Sequence, residues 1–308
     1  MRKVIGIGET IFDIIFRNNQ PTAAVPGGSS FNSIISLGRL GVPVTFISET
    51  GNDHVGELIL DFMRQNGVAT DHVQVYPDGK TPLSLAFLDE RNDAQYQFYK
   101  DYPACRLDVE FPEIEADDIV LFGSYFALNP VLRPRVSAFL DYARQRGAII
   151  YYDVNFRGTH VDEALKLAPV IMENMEYADI VRGSDEDFRN MYALSDVDAV
   201  YAQKVRFYCP QFIYTRGGSS LSLRTGNVSK EYPVPAVETV STIGAGDNFN
   251  AGILFGLLHY RIRRDDIPAL GERDWDHVIR CGMELSSHVC TSFDNYISTD
   301  FAKGWNPS

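Results

Sequence analysis

Cysteine is scarce: Cys105, Cys209, Cys281 and Cys290 are too few and too widely spaced for a disulfide framework, and none forms a CxxC pair that would clasp zinc. Reduced thiols and a cytoplasmic setting are expected. Long apolar runs are also missing. Nothing approaches 18 continuous apolar residues, and Glu9 interrupts the opening apolar stretch well short of a secretory core, so neither a membrane span nor an export signal is expected. Basic charge is in short supply as well. Lys and Arg total 28 against 41 Asp and Glu, a net charge of −13, so the chain has no cationic footprint for a nucleic-acid backbone. Internal repeats and low-complexity linkers are absent.

What is present is a large core and a clear alternation. With 45% hydrophobic residues over 308 positions, the chain can bury a sizeable interior. Apolar runs at Val4 to Ile7, Val44 to Ile47, Ile119 to Phe122, Ala148 to Tyr152 and Phe212 to Tyr214 read as buried strands. Between them the period is helical. Val55, Leu58, Ile59, Phe62 and Met63 share one helix face before Gly67, and Val136, Phe139, Leu140 and Ala143 do so before Gly147. This alternation predicts an α/β, doubly wound, mainly parallel sheet with helices on both faces. One stretch departs from it. Leu83 to Lys100 reads as two antiparallel strands around a polar Glu90 to Asp93 turn, and Ile11 to Phe16 with Ala23 to Pro26 adds a second short β region. Together they suggest a small sheet over the mouth of the core, or else an ordinary edge hairpin.

The segment Val240-Ser-Thr-Ile-Gly-Ala-Gly-Asp-Asn-Phe-Asn-Ala-Gly252 carries the strongest chemical signal. Gly244, Ala245 and Gly246 are small enough to turn backbone N–H groups inward as an anion nest, and an apolar helix follows directly. Asp247 falls in its first turn, where a carboxylate can take a proton from a hydroxyl attacking a bound phosphoryl group. The same residues also suit a plain strand-to-helix turn capped by Asp247.

Thr242 to Gly252 resembles the C-terminal signature of the ribokinase-like (PfkB) carbohydrate kinases. Pro26-Gly-Gly-Ser-Ser-Phe-Asn32, Leu37-Gly-Arg-Leu-Gly41 and Gly51-Asn-Asp-His-Val-Gly56 resemble N-terminal elements of that family, in order. The resemblance spans nearly the whole chain and implies one kinase domain over residues 1–308. Its β lid would be inserted from about 11–28 and 82–106. It also implies ATP, Mg²⁺ and phosphoryl transfer to the hydroxyl of a sugar or nucleoside.

Carried over by position, the resemblance makes Asp247 the catalytic base, with the amides of Gly244, Ala245 and Gly246 as anion hole. It assigns sugar binding to Asp13, Gly27, Gly28 and Asn32, to the lid residues Tyr99 and Lys100, and to Asn155 and Arg157 of Asp153-Val-Asn-Phe-Arg157. Thr215 and Gly217 of Thr215-Arg-Gly-Gly-Ser-Ser220 would lie near ATP. Ser184 and Asp187 of Ser184-Asp-Glu-Asp187 stand for a metal-linked Asn-x-x-Glu element, Asp187 reaching the ion through water. The capping of a helix by acidic residues accounts for that last tetrad equally well.

Departures from the pattern bear on the details. Ser241 stands where many members carry the Asp of a monovalent-cation site, which puts potassium dependence in doubt. The stretch Val278 to Cys290, where adenine packs in the family, lacks the usual Ala and Asn pattern. The opening motifs look closest to bacterial fructokinases, so a ketohexose is the expected acceptor. A 2-keto-3-deoxy sugar acid would need basic partners, for which Lys100, Arg106 and Arg157 are available. A nucleoside would use Phe12, Phe31, Tyr99 and Phe126. A non-catalytic sugar- or nucleotide-binding regulator is the reading from another class. Apolar lid residues Leu83, Leu85, Phe87, Tyr96 and Phe98 suggest a homodimer through the lids.

Overall fold

The computed structural model describes residues 2–88 and 94–307, so the turn expected at Glu90 to Asp93 lies outside the described residues. Fourteen strands are found among the described residues: β1 Val4–Ile7, β2 Ile11–Arg17, β3 Gln20–Gly27, β4 Val44–Gly51, β5 Val68–Ala69, β6 Val73–Tyr76, β7 Lys80–Leu88, β8 Ala94–Asp101, β9 Ile119–Gly123, β10 Ile149–Asp153, β11 Ile180–Ser184, β12 Phe212–Arg216, β13 Ser220–Arg224 and β14 Ser229–Pro233. The helices are α1 Ser29–Arg39, α2 His54–Gln65, α3 Arg133–Gln145, α4 Ala164–Tyr177, α5 Asp185–Tyr192, α6 Val197–Val200, α7 Ala245–His259, α8 Glu272–Val289 and α9 Thr299–Gly304, with short 3₁₀ and π turns between them. None is long and apolar enough to cross a membrane.

The main sheet runs β14-β13-β12-β11-β10-β9-β1-β4-β5, with β6 beside β4. From β12 to β6 every pairing is parallel, and only β13 and β14 at one edge are antiparallel. Parallel strands are covered on both faces, which is why they appear in the sequence as unbroken apolar runs. Alternate residues divide between two cores. Val4, Leu121, Tyr151 and Ile180 pack with α1, α7 and α8, while Ile5, Val120, Phe122, Tyr152 and Val181 pack with α3, α4 and α5. The helix expected after Val55 is α2, but Leu58 is 43% exposed and belongs to its solvent side.

Strand order reverses around β1: the chain moves from β1 to β4 on one side and later from β9 to β12 on the other. Such a switch point opens a crevice at the carboxyl ends of the strands. The ends of β10 and β11 and the first turns of α1 and α7 meet there.

The second sheet has the order β3-β2-β7-β8. Both hairpins expected from the sequence are present and antiparallel, β2 with β3 and β7 with β8, and they join through a parallel β2–β7 pairing. Register assigns the faces. Asp13 sits opposite Ser84, and Ser84 opposite Phe98, so these three share one face with Ala86 and Tyr96. Leu83, Leu85, Phe87 and Tyr99 take the other face, so the apolar residues expected to form one lid surface are divided between two. All four cysteines are free thiols.

Candidate active site

Gly244 is the N-cap of α7 with φ 77°, and a Cβ there would lie 2.6 Å from the Asn295 carbonyl oxygen. Only glycine meets both conditions without strain. The Ala245 amide turns back to the Thr242 carbonyl, and the Gly246 amide finds no acceptor among the described residues. An open N–H at the positive end of a 15-residue helix is suited to an anion.

Asp247 is buried in that first turn. Ser29 Oγ donates to its Oδ1 at 2.9 Å, and Asn32 Nδ2 to its Oδ2 at 2.8 Å. Both donors sit in the first turn of α1. Desolvation pushes the Asp247 carboxyl up to about 6, with the charge of Asp153 adding to the rise and the bond from Asn32 opposing it.

Asp13 lies nearby on the inner face of the small sheet and accepts from Ser84 Oγ. Burial lifts its carboxyl to about 6, and Glu9 adds to the shift. Gly27 leaves room for it, since a Cβ there would stand 2.5 Å from Asp13 Oδ2 and 3.6 Å from Asn295 Nδ2. Gly28, with φ 130°, brings the chain against the Glu9 carbonyl at the start of α1. The expected sugar-pocket residues Asp13, Gly27, Gly28 and Asn32 thus converge.

The lid residues are redistributed. Tyr99 is 56% exposed and, by register, lies on the face away from Asp13, so the structure does not bring it to the site. Tyr96 takes that place, feeling the charges of Asp13, Arg157 and Asp247. Lys100 points inward, but its Nζ is 2.6 Å from Glu9 Oε1, and Tyr102 donates to the same oxygen. Arg106 is bound to the buried Glu49, its Nε 2.6 Å from Oε1, and its guanidinium covers the Tyr102 ring at 3.4 Å. Of the three cations available for a substrate carboxylate, two are committed to partners. Arg157 is exposed beside Asn155, which holds a left-handed φ of 38°.

The tetrad at Ser184 is a closed capping box on α5. Asp187 Oδ2 accepts from the Ser184 amide and hydroxyl, and Asp187 Oδ1 accepts from the Phe156 amide at 2.7 Å. Burial raises the Asp187 carboxyl while Arg182 lowers it. Thr215 is buried at the end of β12, and Gly217, with φ 51°, forms the exposed turn into β13. Arg216 leans over the Tyr214 ring. Ser241 Oγ accepts from the Ile243 amide at 3.2 Å, so a hydroxyl occupies the place of a carboxylate. Within Val278 to Cys290, Cys281 and Gly282 are consumed by close packing of α8 on α7 at Gly252 and Phe249.

Sequence reasoning missed three residues here. Asn295 is buried with its Oδ1 unpaired, as is Asn32 Oδ1. From the sequence Tyr96 reads only as an apolar lid residue. Arg182 is buried on β11, its Nη1 3.0 Å from Asp153 Oδ1 and its Nη2 2.8 Å from Thr215 Oγ1. Asp153 Oδ2 in turn accepts from Asn250 Nδ2 at 2.9 Å.

Comparison with known proteins covers most of the chain. The profile described as pfkB family carbohydrate kinase matches residues 1–301. A fructokinase of Rhizobium leguminosarum bv. trifolii is 28% identical over 262 residues, 82% of this chain and 79% of that protein. A 5-dehydro-2-deoxygluconokinase of Geobacillus kaustophilus is 28% identical over 278 residues, 86% of this chain and 80% of its own length. Among solved structures, fructokinase from Vibrio cholerae O395 with fructose, ADP and calcium ion superposes with TM-score 0.82 at 21% identity, covering 96% of this chain and 94% of that one. Aminoimidazole riboside kinase from Salmonella enterica, with aminoimidazole riboside and an ATP analogue, gives 0.80 at 22% identity, covering 98% and 99%.

Proposed function

The chain belongs to the pfkB family of carbohydrate kinases, and we propose that it is an ATP-dependent kinase whose acceptor is a neutral ketohexose such as fructose. As a phosphotransferase it acts on a sugar hydroxyl. The observation that carries the mechanism is Asp247, held by Ser29 and Asn32 in the first turn of α7 beside the open Gly246 amide. The acceptor oxygen attacks the γ-phosphorus, its proton passes to Asp247, and the bond to the bridging oxygen breaks so that ADP leaves with the electron pair. The Gly244 to Gly246 turn receives the charge on the transferring group.

The pocket's electrostatics favour the neutral sugar. Asp13 and Asp247 accept hydroxyl donors, whereas Lys100 and Arg106 are already balanced by Glu9 and Glu49. A sugar-acid carboxylate would have only the exposed Arg157 to meet it, although relatives named 5-dehydro-2-deoxygluconokinase favour that second reading. The aromatics considered for a nucleoside are scattered, with Phe31 in the core and Tyr99 outward.

Magnesium takes oxygen ligands and keeps several waters. Among the described residues no group of three or more His, Cys, Asp or Glu is arranged around a metal, and both Asp187 oxygens already accept hydrogen bonds. That donor set suits a hydrated ion carried chiefly by nucleotide phosphates, with Asp187 acting through water. When bound, such an ion would neutralise phosphate charge. We read the whole chain as one catalytic domain in the cytoplasm, with the four-stranded sheet as lid and its outer face, including Leu85 and Phe87, as a dimer contact.

The test is ADP release with ATP and Mg²⁺ over fructose, tagatose, ribose, keto-deoxygluconate and adenosine. Turnover confined to the ketohexoses supports the reading, and preference for the sugar acid or the nucleoside overturns it.

A further inference from the structure

Arg182 is a buried cation that Asp153 and Asp187 hold charged. Its side chain is 10% exposed, and one fork nitrogen is paired to Asp153. An ion pair alone would be satisfied by that contact. Yet the guanidinium lies flat against the first turn of α7: a Cβ added to Gly246 would stand 3.1 Å from Nη2, 3.2 Å from Nη1 and 3.5 Å from Cζ. A full positive charge is thus pressed against a helix N-terminus that itself carries roughly half a positive charge. Burial is a cost to the guanidinium that the charges of Asp153 and Asp187 outweigh. The charged fork and the helix end present their positive charge together, where an anion can share it.

Two further observations point the same way. Arg182 Nε is buried and has no acceptor, although guanidinium donors away from water are ordinarily paired. The two paired nitrogens join opposite sides of the site, since Asp153 touches Ser29 and Asn250 on the base's side while Thr215 ends the strand leading into the Gly217 turn. The guanidinium therefore spans the boundary between the Asp247 side and the Thr215 side.

We propose that Arg182 grips the phosphate chain of the nucleotide at the α7 N-terminus, next to the Gly246 amide. This rests on the phosphoryl-transfer reading above and extends it to a residue on β11. Asp153 and Thr215 hold the fork in place, so its planar donors are oriented before the phosphate arrives. Gly246 is small because the fork must lie against it.

The experiment compares wild type with Arg182→Gln and Arg182→Lys. Calorimetric titrations use ATP with Mg²⁺ and, separately, adenosine as a probe without phosphates, alongside steady-state kinetics. Expected for Arg182→Gln is a fall of about 10²- to 10³-fold in kcat/KM for ATP, weaker ATP binding, and adenosine and sugar affinities within about threefold of wild type. Arg182→Lys should recover part of the loss. Unchanged ATP affinity and kcat/KM in Arg182→Gln would overturn the proposal, as would equal losses toward ATP, adenosine and sugar. Should Arg182→Gln not fold, the double variant Asp153→Asn/Arg182→Gln, which removes both charges, is measured against Asp153→Asn alone with the same expectations. The ATP titration needs no acceptor sugar. If no neutral sugar is phosphorylated but ATP affinity still depends on Arg182, the ketohexose reading falls and Arg182 stands; if wild type binds no ATP, both fall.

Discussion

Asn32 Nδ2 donates to Asp247 Oδ2 at 2.8 Å across 215 residues of sequence, joining the first turns of two helices. That bond, with the one from Ser29, aims the carboxylate and holds it against a burial that favours its neutral form. Asp247→Asn should lower turnover at least about 10²-fold. The same variant should raise Tm at pH 8, because it removes the cost of an ionised, desolvated carboxylate, on the order of 3 kcal/mol. At pH 5 the gain should be smaller, since wild-type Asp247 is then largely protonated. Differential scanning calorimetry at the two pH values and an ADP-release assay check both outcomes.

The activity profile should have an acid limb. Asp247 and Asp13 both titrate near 6, and the base works only when ionised, so kcat/KM should fall as pH drops through about 6. Stability takes the opposite sign. With folded-state values above those of the unfolded chain, protonation stabilises the fold, which is fully present below the ordinary carboxylate range and lost as pH rises through about 6. A rate profile flat down to pH 5 would contradict this assignment.

Asn295→Ala should raise the sugar KM about tenfold while leaving the ATP KM within about twofold. Its buried Oδ1 has no partner, and its side chain faces Gly27 beside Asp13, so it is placed to accept a hydroxyl from the acceptor. Its main-chain carbonyl, which holds Asn248 Nδ2, survives the substitution. Steady-state kinetics with each substrate varied in turn separates the two effects.

Gly28→Ala should abolish sugar binding and destabilise the fold by more than the roughly 1–3 kcal/mol of backbone strain alone. The left-handed φ of 130° and a Cβ 2.2 Å from the Glu9 carbonyl act together. Denaturant melts and sugar titration report the loss.

Arg106→Met should cost about 3–5 kcal/mol, because it strands the buried Glu49 without a cation. Adding Glu49→Gln should return most of that. A double variant no better than the single would show that the ring contact with Tyr102, and not the charge pair, is what matters at that position. Urea melts of the four proteins in the cycle give the coupling directly.

Core strands were legible wherever parallel pairing buried both faces, as at Val4 to Ile7 and Ile149 to Asp153. β11 was not, because Arg182 and Gly183 break its apolar run and together resemble a loop. Asp247 and its glycines stood out because small residues, a carboxylate and an apolar helix follow one another directly. Tyr96 and Tyr99 could not be told apart. Which one faces inward depends on hairpin register, a parity that side-chain types on β8 leave open because aromatics occupy both faces. Leu58 shows the converse limit, since its spacing fits the apolar face of α2 although the side chain lies exposed. Arg106 and Lys100 looked available to a substrate because their acidic partners, Glu49 and Glu9, are brought to them only by the fold.

The parallel β2–β7 ladder has a consequence for how the molecule assembles. Between these strands the chain makes β3, α1, β4, α2, β5 and β6, so the pairing of Asp13 with Ser84 closes a long loop. Closing so long a loop is slow and brings its contacts late. Amide exchange should therefore be fastest to open in β2 and β7 while the β1, β9 and β10 strands stay protected. A ligand held between the two sheets would then act as a staple on the last part to fold.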